Sequence, residues 1–347
     1  MSRVRFDDRR DSGRDGMNGR TTRERGARHG FTLLEMLMVI AIIATLAGML
    51  VVMLADAQQE SNRERTRSQI RRIDAIVLDH WEEVGSRPLS ISSSNIAFDL
   101  NTNGTVELAE ARLGRLLALR ELLRMEFPDR IADVAVNSTL GTVSSSLLSY
   151  RIRTRIQIQN RNPLVVPLND VDIYGADPNV GGLWTTNFQE AECLYLILSS
   201  RTDEDGNMLR FFSPTEIGDV DGDGMFEILD QWGQPINFIR WAPGFQSLRQ
   251  DLSPITSPDP LDPFKADLRW HNASALDDPV ALFPLIFSGG PDGSPGIGLK
   301  NALVAPLPTP YPAIDDPYSW QTSLGDPVGT IDFSLHGDDL VNHNDIR

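Results

Sequence analysis

Two stretches of this sequence place oxygen-bearing side chains at the spacing of a calcium-binding loop. The first, residues 99–110, reads DLNTNGTVELAE, and the second, residues 219–230, reads DVDGDGMFEILD. In such loops alternate residues offer oxygens, a glycine at the sixth position makes the sharp turn, and an acid at the twelfth closes the site. The sequence therefore predicts calcium as a cofactor, with magnesium as the alternative, because both cations prefer hard oxygen ligands.

The pattern also names the predicted ligands, of which Thr105 and Met225 would contribute backbone carbonyls. They are Asp99, Asn101, Asn103, Thr105 and Glu110 in the first loop, and Asp219, Asp221, Asp223, Met225 and Asp230 in the second. Asp230 stands where glutamate is usual, and its shorter side chain favours contact through one oxygen. The alternative for either loop is an acidic, solvated Asx turn that binds no cation.

A lone carboxylate, Glu35, lies in the most apolar stretch of the chain. Of the 25 residues from Phe31 to Ala55, 21 are apolar, and a helix of that length, about 38 Å, can cross a hydrocarbon layer of about 30 Å. A charged carboxylate at membrane depth costs at least about 2.5–3.5 kcal/mol and needs a partner. If the chain is cut after Gly30, the new α-amino group of Phe31 is a cation one helical turn away, or it meets Glu35 of a neighbouring chain. Burial of such a pair favours ordered assembly through Phe31 and Glu35.

The segment before this apolar stretch predicts its orientation. Residues 1–30 hold nine arginines against five acids, so the positive-inside tendency keeps them in the cytoplasm and exports the remainder. A cleaved secretory signal peptide is the alternative, although its apolar core would be shorter and Ala55-Asp56-Ala57 imitates its cleavage site only weakly. A single-pass anchor is the better prediction.

The residues around Gly30 also resemble a known family. Gly30, followed by Phe31-Thr32-Leu33-Leu34-Glu35 and an apolar run, is similar to the cleavage and methylation segment of type IV pilins and of the pseudopilins of type II secretion. The resemblance implies that a prepilin peptidase cleaves after Gly30, that Phe31 is N-methylated, and that Glu35 aids subunit docking.

Two later segments resemble major pseudopilins. They are LDQWGQPINFIRWAPG at residues 229–244 and FSGGPDG at residues 287–293. In that family the loop region near the C-terminus binds calcium, so the resemblance makes Asp292, Asp338 and Asp339 candidates there. The head would be larger than is usual for such proteins.

The elements that must position these residues follow from the hydrophobic pattern. A stripe of Ile70, Ile73, Val77, Trp81 and Val84 predicts that the apolar helix continues from residue 31 to residue 84 and packs on the head. Further helices are predicted at 108–127 and 187–200, and strands within 147–176, where YRIRTRIQIQ alternates, and at INFIRW and ALFPLIFS. The predicted fold class is α+β, with a long N-terminal transmembrane and stalk helix packed on a globular head that has an antiparallel β-sheet and long loops. Its parts are a leader (1–30, removed), a transmembrane helix (31–55), a stalk helix (56–85) and an acidic periplasmic head (86–347).

Composition narrows the function further. Beyond residue 30 the chain holds 23 basic and 43 acidic residues, so no nucleic-acid partner is expected. The single cysteine, Cys193, excludes an internal disulfide and is expected to be a small buried hydrophobe. His336 and His343 lie near Asp338 and could imitate a metal site, but an exposed polar tail is the favoured interpretation. No nucleophile-elbow, zinc-protease or P-loop motif occurs, so the protein is not predicted to be an enzyme.

The sequence therefore predicts a structural subunit of the bacterial inner membrane, single-pass with a cytoplasmic N-terminus and a periplasmic head, that polymerises into a type II secretion pseudopilus or type IV pilus-like filament. Its expected partners are copies of itself, other pilin-like subunits, a prepilin peptidase, the inner-membrane assembly platform and the membrane. The alternative is a membrane-tethered periplasmic calcium-binding protein or hydrolase that does not polymerise.

Overall fold

The computed structural model describes residues 30–89, 103–138, 144–164, 167–204, 206–271, 278–303 and 313–343. Within these ranges the helices are α1 (Leu33–Ser86), α2 (Leu108–Glu126), α3 (Ile131–Ala135), α4 (Ser145–Arg161), α5 (Asp170–Tyr174) and α6 (Gln189–Ser200). The strands are β1 (Thr202–Asp203), β2 (Gly206–Asn207), β3 (Ile217–Gly218), β4 (Glu227–Ile228), β5 (Asn237–Ile239), β6 (Leu285–Ser288), β7 (Ala302–Leu303), β8 (Trp320–Gln321) and β9 (Leu340–Val341). A long apolar N-terminal helix and a head with small antiparallel sheets make the fold α+β, as predicted.

The chain divides into two compact units, one ending at Ala55 and one beginning at Asp56. In the first unit the large apolar side chains of α1 are exposed, from Leu33 at 83% to Met36 at 47%. In the described part of the chain, α1 is the one helix long and apolar enough to cross a membrane. This helix is consistent with the single-pass membrane anchor predicted from the sequence.

In the second unit α1 contributes one face to the main hydrophobic core. The predicted stripe of Ile70, Ile73, Val77, Trp81 and Val84 is buried there, which confirms the helical period. The Trp81 ring lies 5.1 Å from that of Phe127, which follows α2. The helix ends at Ser86, shortly before Pro88, which cannot continue it.

Short antiparallel sheets complete the head. β5 pairs with β6, and β6 pairs with β9, in one three-stranded sheet, so the strands predicted at INFIRW and ALFPLIFS are confirmed. Phe238 and Ile286 belong to the main core, whereas Ile239, Leu285 and Phe287 belong to a second apolar cluster. The sheet is therefore covered by apolar side chains on both faces, as the period of two along a strand requires.

The helices predicted at 108–127 and 187–200 are confirmed as α2 and α6, but the strands predicted within 147–176 are wrong. That region forms α4 and α5. The buried residues of α4 are Leu147, Tyr150, Thr154 and Ile158, at helical spacing, whereas the alternating Ile152 is 60% exposed. The alternation of arginine and isoleucine favours a strand locally, but the packing of this helical face on the core outweighs that preference.

Candidate functional site

The first candidate site is the junction that precedes α1. Gly30 is exposed and Phe31 is 76% exposed. Since α1 begins at Leu33, the peptide bond between Gly30 and Phe31 lies outside the helix, where a protease can bind an extended backbone. The accessibility and the position of this bond suit proteolytic processing.

Glu35 occupies the first turn of α1, and Thr32 is its partner. The Thr32 N–H and hydroxyl donate to Glu35 Oε2 at 2.8 and 2.9 Å, and the Glu35 N–H donates to Thr32 Oγ1 at 3.2 Å. This reciprocal pattern is a capping box, which satisfies two backbone N–H groups at the start of the helix. A carboxylate near a helix N-terminus is also favoured by the helix dipole. Thr32 thus gives Glu35 a local partner that the charge argument from sequence did not include.

The second candidate site is a cluster of five carboxylates around the second predicted loop, here called the acidic cluster: Glu192, Asp219, Asp221, Asp223 and Glu227. Glu192, Asp221 and Asp223 each offer an oxygen within 4.8 Å of the other two. Asp219, Asp221 and Glu227 form a second such group, so Asp221 is shared. Glu192 and Glu227 are fully buried. The chemistry of this donor set, oxygen alone and negatively charged, matches that of a hard divalent cation.

Local structure explains how the acidic cluster forms. β3 and β4 pair antiparallel, and the loop between them turns through Gly222 and Gly224, whose φ angles of +80° and +105° favour glycine. A Cβ at Gly224 would lie 2.8 Å from Arg161 Cβ, so this position also needs a residue without a side chain. The turn brings Asp219, Asp221 and Asp223 against Glu227 of β4.

Backbone and hydroxyl donors orient the aspartates of the loop. The Thr185 N–H donates to Asp223 Oδ2 at 2.7 Å, and the Thr185 hydroxyl donates to Asp221 Oδ2 at 2.5 Å. Glu227 Oε2 accepts from the Val220 N–H at 3.1 Å. Glu192 Oε2 accepts from the indole N–H of Trp184. The cluster is therefore held in place by the segment before α6 as well as by its own loop.

Burial and repulsion from neighbouring acids raise the pKa values of Glu192, Asp223 and Glu227. Desolvation, with repulsion from neighbouring acids, raises the pKa of Glu227 to about 8 and that of Asp223 to about 6. The same causes raise the pKa of Glu192 well above its usual value. Three buried carboxylate oxygens in the cluster have no hydrogen-bond partner among the described residues, namely Glu192 Oε1, Asp219 Oδ1 and Glu227 Oε1.

The remaining residues predicted for the second loop, Met225 and Asp230, are not members of this cluster. Asp230 Oδ1 accepts from the N–H groups of Trp232 and Gln234, and its Oδ2 accepts from the Ser288 hydroxyl at 2.6 Å. Asp230 belongs to neither group of the acidic cluster. Met225 is buried in the core, and its N–H donates to Asp223 Oδ1 at 2.8 Å.

The first predicted loop is described only in part, because Asp99 and Asn101 lie outside the described residues. Asn103 Oδ1 accepts from the N–H and the hydroxyl of Thr105, at 2.8 and 2.6 Å, which is the geometry of an Asx turn. Glu110 Oε2 accepts from the Glu107 N–H at 2.9 Å within the capping box of α2. Calcium binding by this loop stays a prediction.

The acids predicted near the C-terminus are engaged in local turns. Asp292 is exposed and accepts from the Ser294 N–H at 2.8 Å. Asp339 accepts from the Gly296 N–H, at 2.8 Å, and pairs with His336. The groups that could hold a cation in the described part of the chain include neither these two acids nor Asp338.

The histidine-containing segment is not the exposed tail that the sequence favoured. His336 and His343 are both 5% exposed. His343 Nδ1 lies 2.6 Å from the Ser247 hydroxyl, and its ring meets that of Phe245 edge-on. Desolvation lowers the pKa of His343 to about 4. These histidines are therefore packing residues, as is the buried Cys193, whose burial was predicted.

The two segments that resemble major pseudopilins meet in the structure. The hydrogen bond between Asp230 and Ser288 joins them. The first segment also holds the stalk part of α1: Gln69 donates to the Leu229 carbonyl at 2.8 Å, and Trp232 donates to Gln59 Oε1 at 2.9 Å. These residues thus dock the helix on the head.

Glu192 and Glu227 are the members of the acidic cluster that the sequence analysis missed. Glu227 is the ninth residue of the loop pattern, a position at which acids also ligate calcium through water. Glu192 comes from α6, and its only sequence signal is a charge inside the otherwise apolar AECLYLIL.

Comparison with known protein families matches residues 25–51 to the prokaryotic N-terminal methylation motif. No curated protein and no solved structure matches the chain. The matched residues include Gly30, Phe31, the capping box of Thr32 and Glu35, and the exposed apolar part of α1. This chain therefore carries the prepilin-type methylation segment that is the hallmark of type IV pilins and pseudopilins.

Proposed function

We propose that this protein is a structural pilin-like subunit that polymerises, after cleavage by a prepilin peptidase, into a type II secretion pseudopilus or a type IV pilus-like filament. The observation that carries the proposal is the methylation motif at residues 25–51, placed on an apolar helix segment whose side chains are exposed. Before assembly this surface would lie in lipid, and afterwards it would pack on the same surface of neighbouring subunits. Extraction from the membrane is then not opposed by the full hydrophobic cost.

Processing would create the cation that Glu35 needs at an interface between subunits. Cleavage after Gly30 leaves an α-amino group on Phe31, and N-methylation keeps its positive charge. Both bonds from Thr32 fall on Glu35 Oε2, which leaves Oε1 for the amine of a neighbouring subunit. A pair of this kind fixes the axial register of the helices, because a shift along the axis would leave a charge buried without a partner.

Orientation and partners follow from the same proposal. The arginine-rich residues 1–30 would stay in the cytoplasm, where the peptidase and the assembly platform act, and the head would lie in the periplasm. Other pilin-like subunits would share the filament. The acidic cluster favours one competing function, that of a tethered cation-binding protein that stays monomeric.

Mass spectrometry of the N-terminus in native membranes tests the proposal. We expect a mature chain that begins with a mono-methylated Phe31. Gly30→Glu should block cleavage, whereas Gly19→Glu, the same change within the leader, should not. Crosslinking in the membrane should give ladders of the processed chain. A chain that keeps its leader in functional cells and gives no crosslinked multimers would refute the proposal in favour of a monomeric tethered protein.

A further inference from the structure

We infer that the acidic cluster is a calcium site that joins α6 to the hairpin of β3 and β4, with Glu192, Asp219, Asp221, Asp223 and Glu227 as its ligands. This inference is independent of polymerisation, since every ligand lies in the unit that begins at Asp56. It also differs from the loop pattern read in the sequence, because Glu227 closes the site in place of Asp230 and Glu192 arrives from a distant helix.

The geometry fits a single large cation at each group of three carboxylates. Two oxygens bound to the same calcium ion at 2.3–2.6 Å lie at most roughly 4.6–5.2 Å apart. The ligand atoms of Glu192, Asp221 and Asp223 all lie within 4.8 Å of one another, and so do those of Asp219, Asp221 and Glu227. A cation could therefore enter either group with little movement of the loop, and Asp221 would bind in both cases.

Unpartnered buried oxygens give a second, independent reason. Glu192 and Glu227 are each 0% exposed, yet one oxygen of each carboxylate has no hydrogen-bond partner in the part of the chain that the structure describes. Asp219 contributes a third such oxygen. Buried polar atoms are nearly always paired, so three unpaired acceptors in one cluster require an explanation. Calcium in the group of Glu192 would satisfy one of them, and calcium in the group of Asp219 and Glu227 would satisfy the other two, because carboxylate oxygens bind calcium directly.

A comparison with three other buried acids of the head supports a cation site at the acidic cluster. Asp133 lies 2.8 Å from Arg240, Asp267 lies 2.8 Å from Arg120, and Asp129 lies 2.5 Å from Lys300. Among the described residues, no ion pair includes any member of the acidic cluster. A guanidinium does reach the backbone of the loop, since Arg161 Nε donates to the Gly222 carbonyl at 3.2 Å. Asp129, Asp133 and Asp267 are thus neutralised by cations of the head, whereas this cluster depends on protons or on an ion from solvent.

The donor chemistry selects calcium among the common divalent ions. The cluster offers oxygen ligands alone, which disfavours zinc and copper, since these bind through nitrogen and sulfur. Magnesium requires near-ideal octahedral geometry at about 2.0–2.1 Å and retains several waters. It is usually bound through one or two carboxylates, whereas each group here offers three. Calcium accepts irregular coordination by six to eight oxygens, including bidentate carboxylates.

Calcium titration of the full-length chain in detergent, after treatment with a chelator, tests the inference. Calorimetry with calcium chloride alone should show binding, and calcium should raise the melting temperature. Asp221→Asn should weaken binding by about tenfold or more, because ligand charge sets calcium affinity. Without calcium the same variant should melt no lower than the wild type, since it removes a repulsive charge. A variant that binds calcium weakly but melts no lower without calcium has lost a ligand, whereas a damaged fold would lower the melting temperature without calcium as well.

Two control variants sharpen the test. Asp177→Asn makes the same charge change in a turn that lies apart from the cluster, where Asp177 accepts from the Asn179 N–H, and it should bind calcium as the wild type does. Asp230→Asn separates the two ligand schemes: we expect near-normal binding, whereas Glu227→Gln should bind calcium more weakly than the wild type.

Three outcomes would overturn the inference. The first is no calcium-induced heat or thermal shift in the wild type. The second is a loss of binding in Asp230→Asn with none in Glu227→Gln, which would restore the twelve-residue loop scheme. The third is equal binding of magnesium, which would reject the calcium assignment. Cleavage after Gly30 should be normal in every variant, so failure of this inference and failure of the proposed function are separable.

Discussion

Replacing Glu35 with glutamine separates the charge of this side chain from its role as a helix cap. The amide oxygen can accept the bonds that Glu35 Oε2 accepts from Thr32, at 2.8 and 2.9 Å, so a cap worth about 1 kcal/mol is retained. The charge is lost. An amine and a carboxylate about 4 Å apart attract by about 4 kcal/mol at an effective dielectric constant of about 20, and desolvation offsets part of this. We expect at least about tenfold less polymer, equivalent to about 1.4 kcal/mol per contact between subunits.

The assay compares crosslinked multimers with the amount of processed, membrane-inserted subunit. Glu35→Gln should insert at least as well as the wild type, because it removes a charge that costs about 2.5–3.5 kcal/mol at membrane depth. Thr32→Val is the matched control: it loses the hydroxyl of the cap and keeps both the carboxylate and the Thr32 N–H donor. It should assemble nearly as the wild type does. Normal assembly of Glu35→Gln together with poor assembly of Thr32→Val would refute charge pairing and assign the role of Glu35 to the cap.

Three further predictions concern the head. The pKa of Glu227 is raised from 4.5 to about 8 in the folded chain. Between these pH values Glu227 is ionised in the unfolded chain but protonated in the folded chain. In the presence of a chelator this group therefore lowers the free energy of unfolding as pH rises through the range. The fall in melting temperature between pH 5 and 8 should therefore be smaller in Glu227→Gln, and an identical slope would contradict this assignment. Burial raises the pKa of Cys193, so thiol reagents should label it only in denaturant; rapid labelling of the native chain would be inconsistent with the fold. Asp133→Asn should lower the free energy of unfolding in urea by up to about 3–5 kcal/mol, because it removes the 2.8 Å acidic partner of the buried Arg240 and leaves Asp129 at 3.8 Å. Asp170→Asn at the exposed pair with Arg155 should change it by under about 1 kcal/mol.

The long N-terminal helix could be predicted from the sequence, because its hydrophobic pattern is local and unbroken. The apolar run that ends at Ala55 has no competing element, and the stripe from Ile70 to Val84 repeats at helical spacing. The methylation motif around Gly30 was also evident, since its signal resides in contiguous residues. The capping role of Thr32 was accessible as well, because Thr32 and Glu35 have the spacing of a capping box.

The errors and omissions share a different physical origin, which is tertiary contact. In α4 the alternation of arginine and isoleucine imitates a strand, and only the core reveals that Leu147, Tyr150 and Ile158 form the buried face. Likewise, the loop pattern predicted the aspartates of the acidic cluster but could not bring in Glu192. A residue on a helix meets a hairpin loop only when the fold is complete.

The distribution of positive charge explains why that cluster would take an ion from solvent. Beyond residue 30 the chain has 23 basic residues against 43 acids, and several of the basic side chains are buried beside particular carboxylates, as Arg240 is beside Asp133 and Lys300 is beside Asp129. Truncating either partner of such a pair leaves an uncompensated charge, so these cations cannot move to another site without destabilising the core. The hairpin of β3 and β4 has no internal cation of this kind among the described residues. A soluble divalent ion would neutralise it without a change elsewhere in the head.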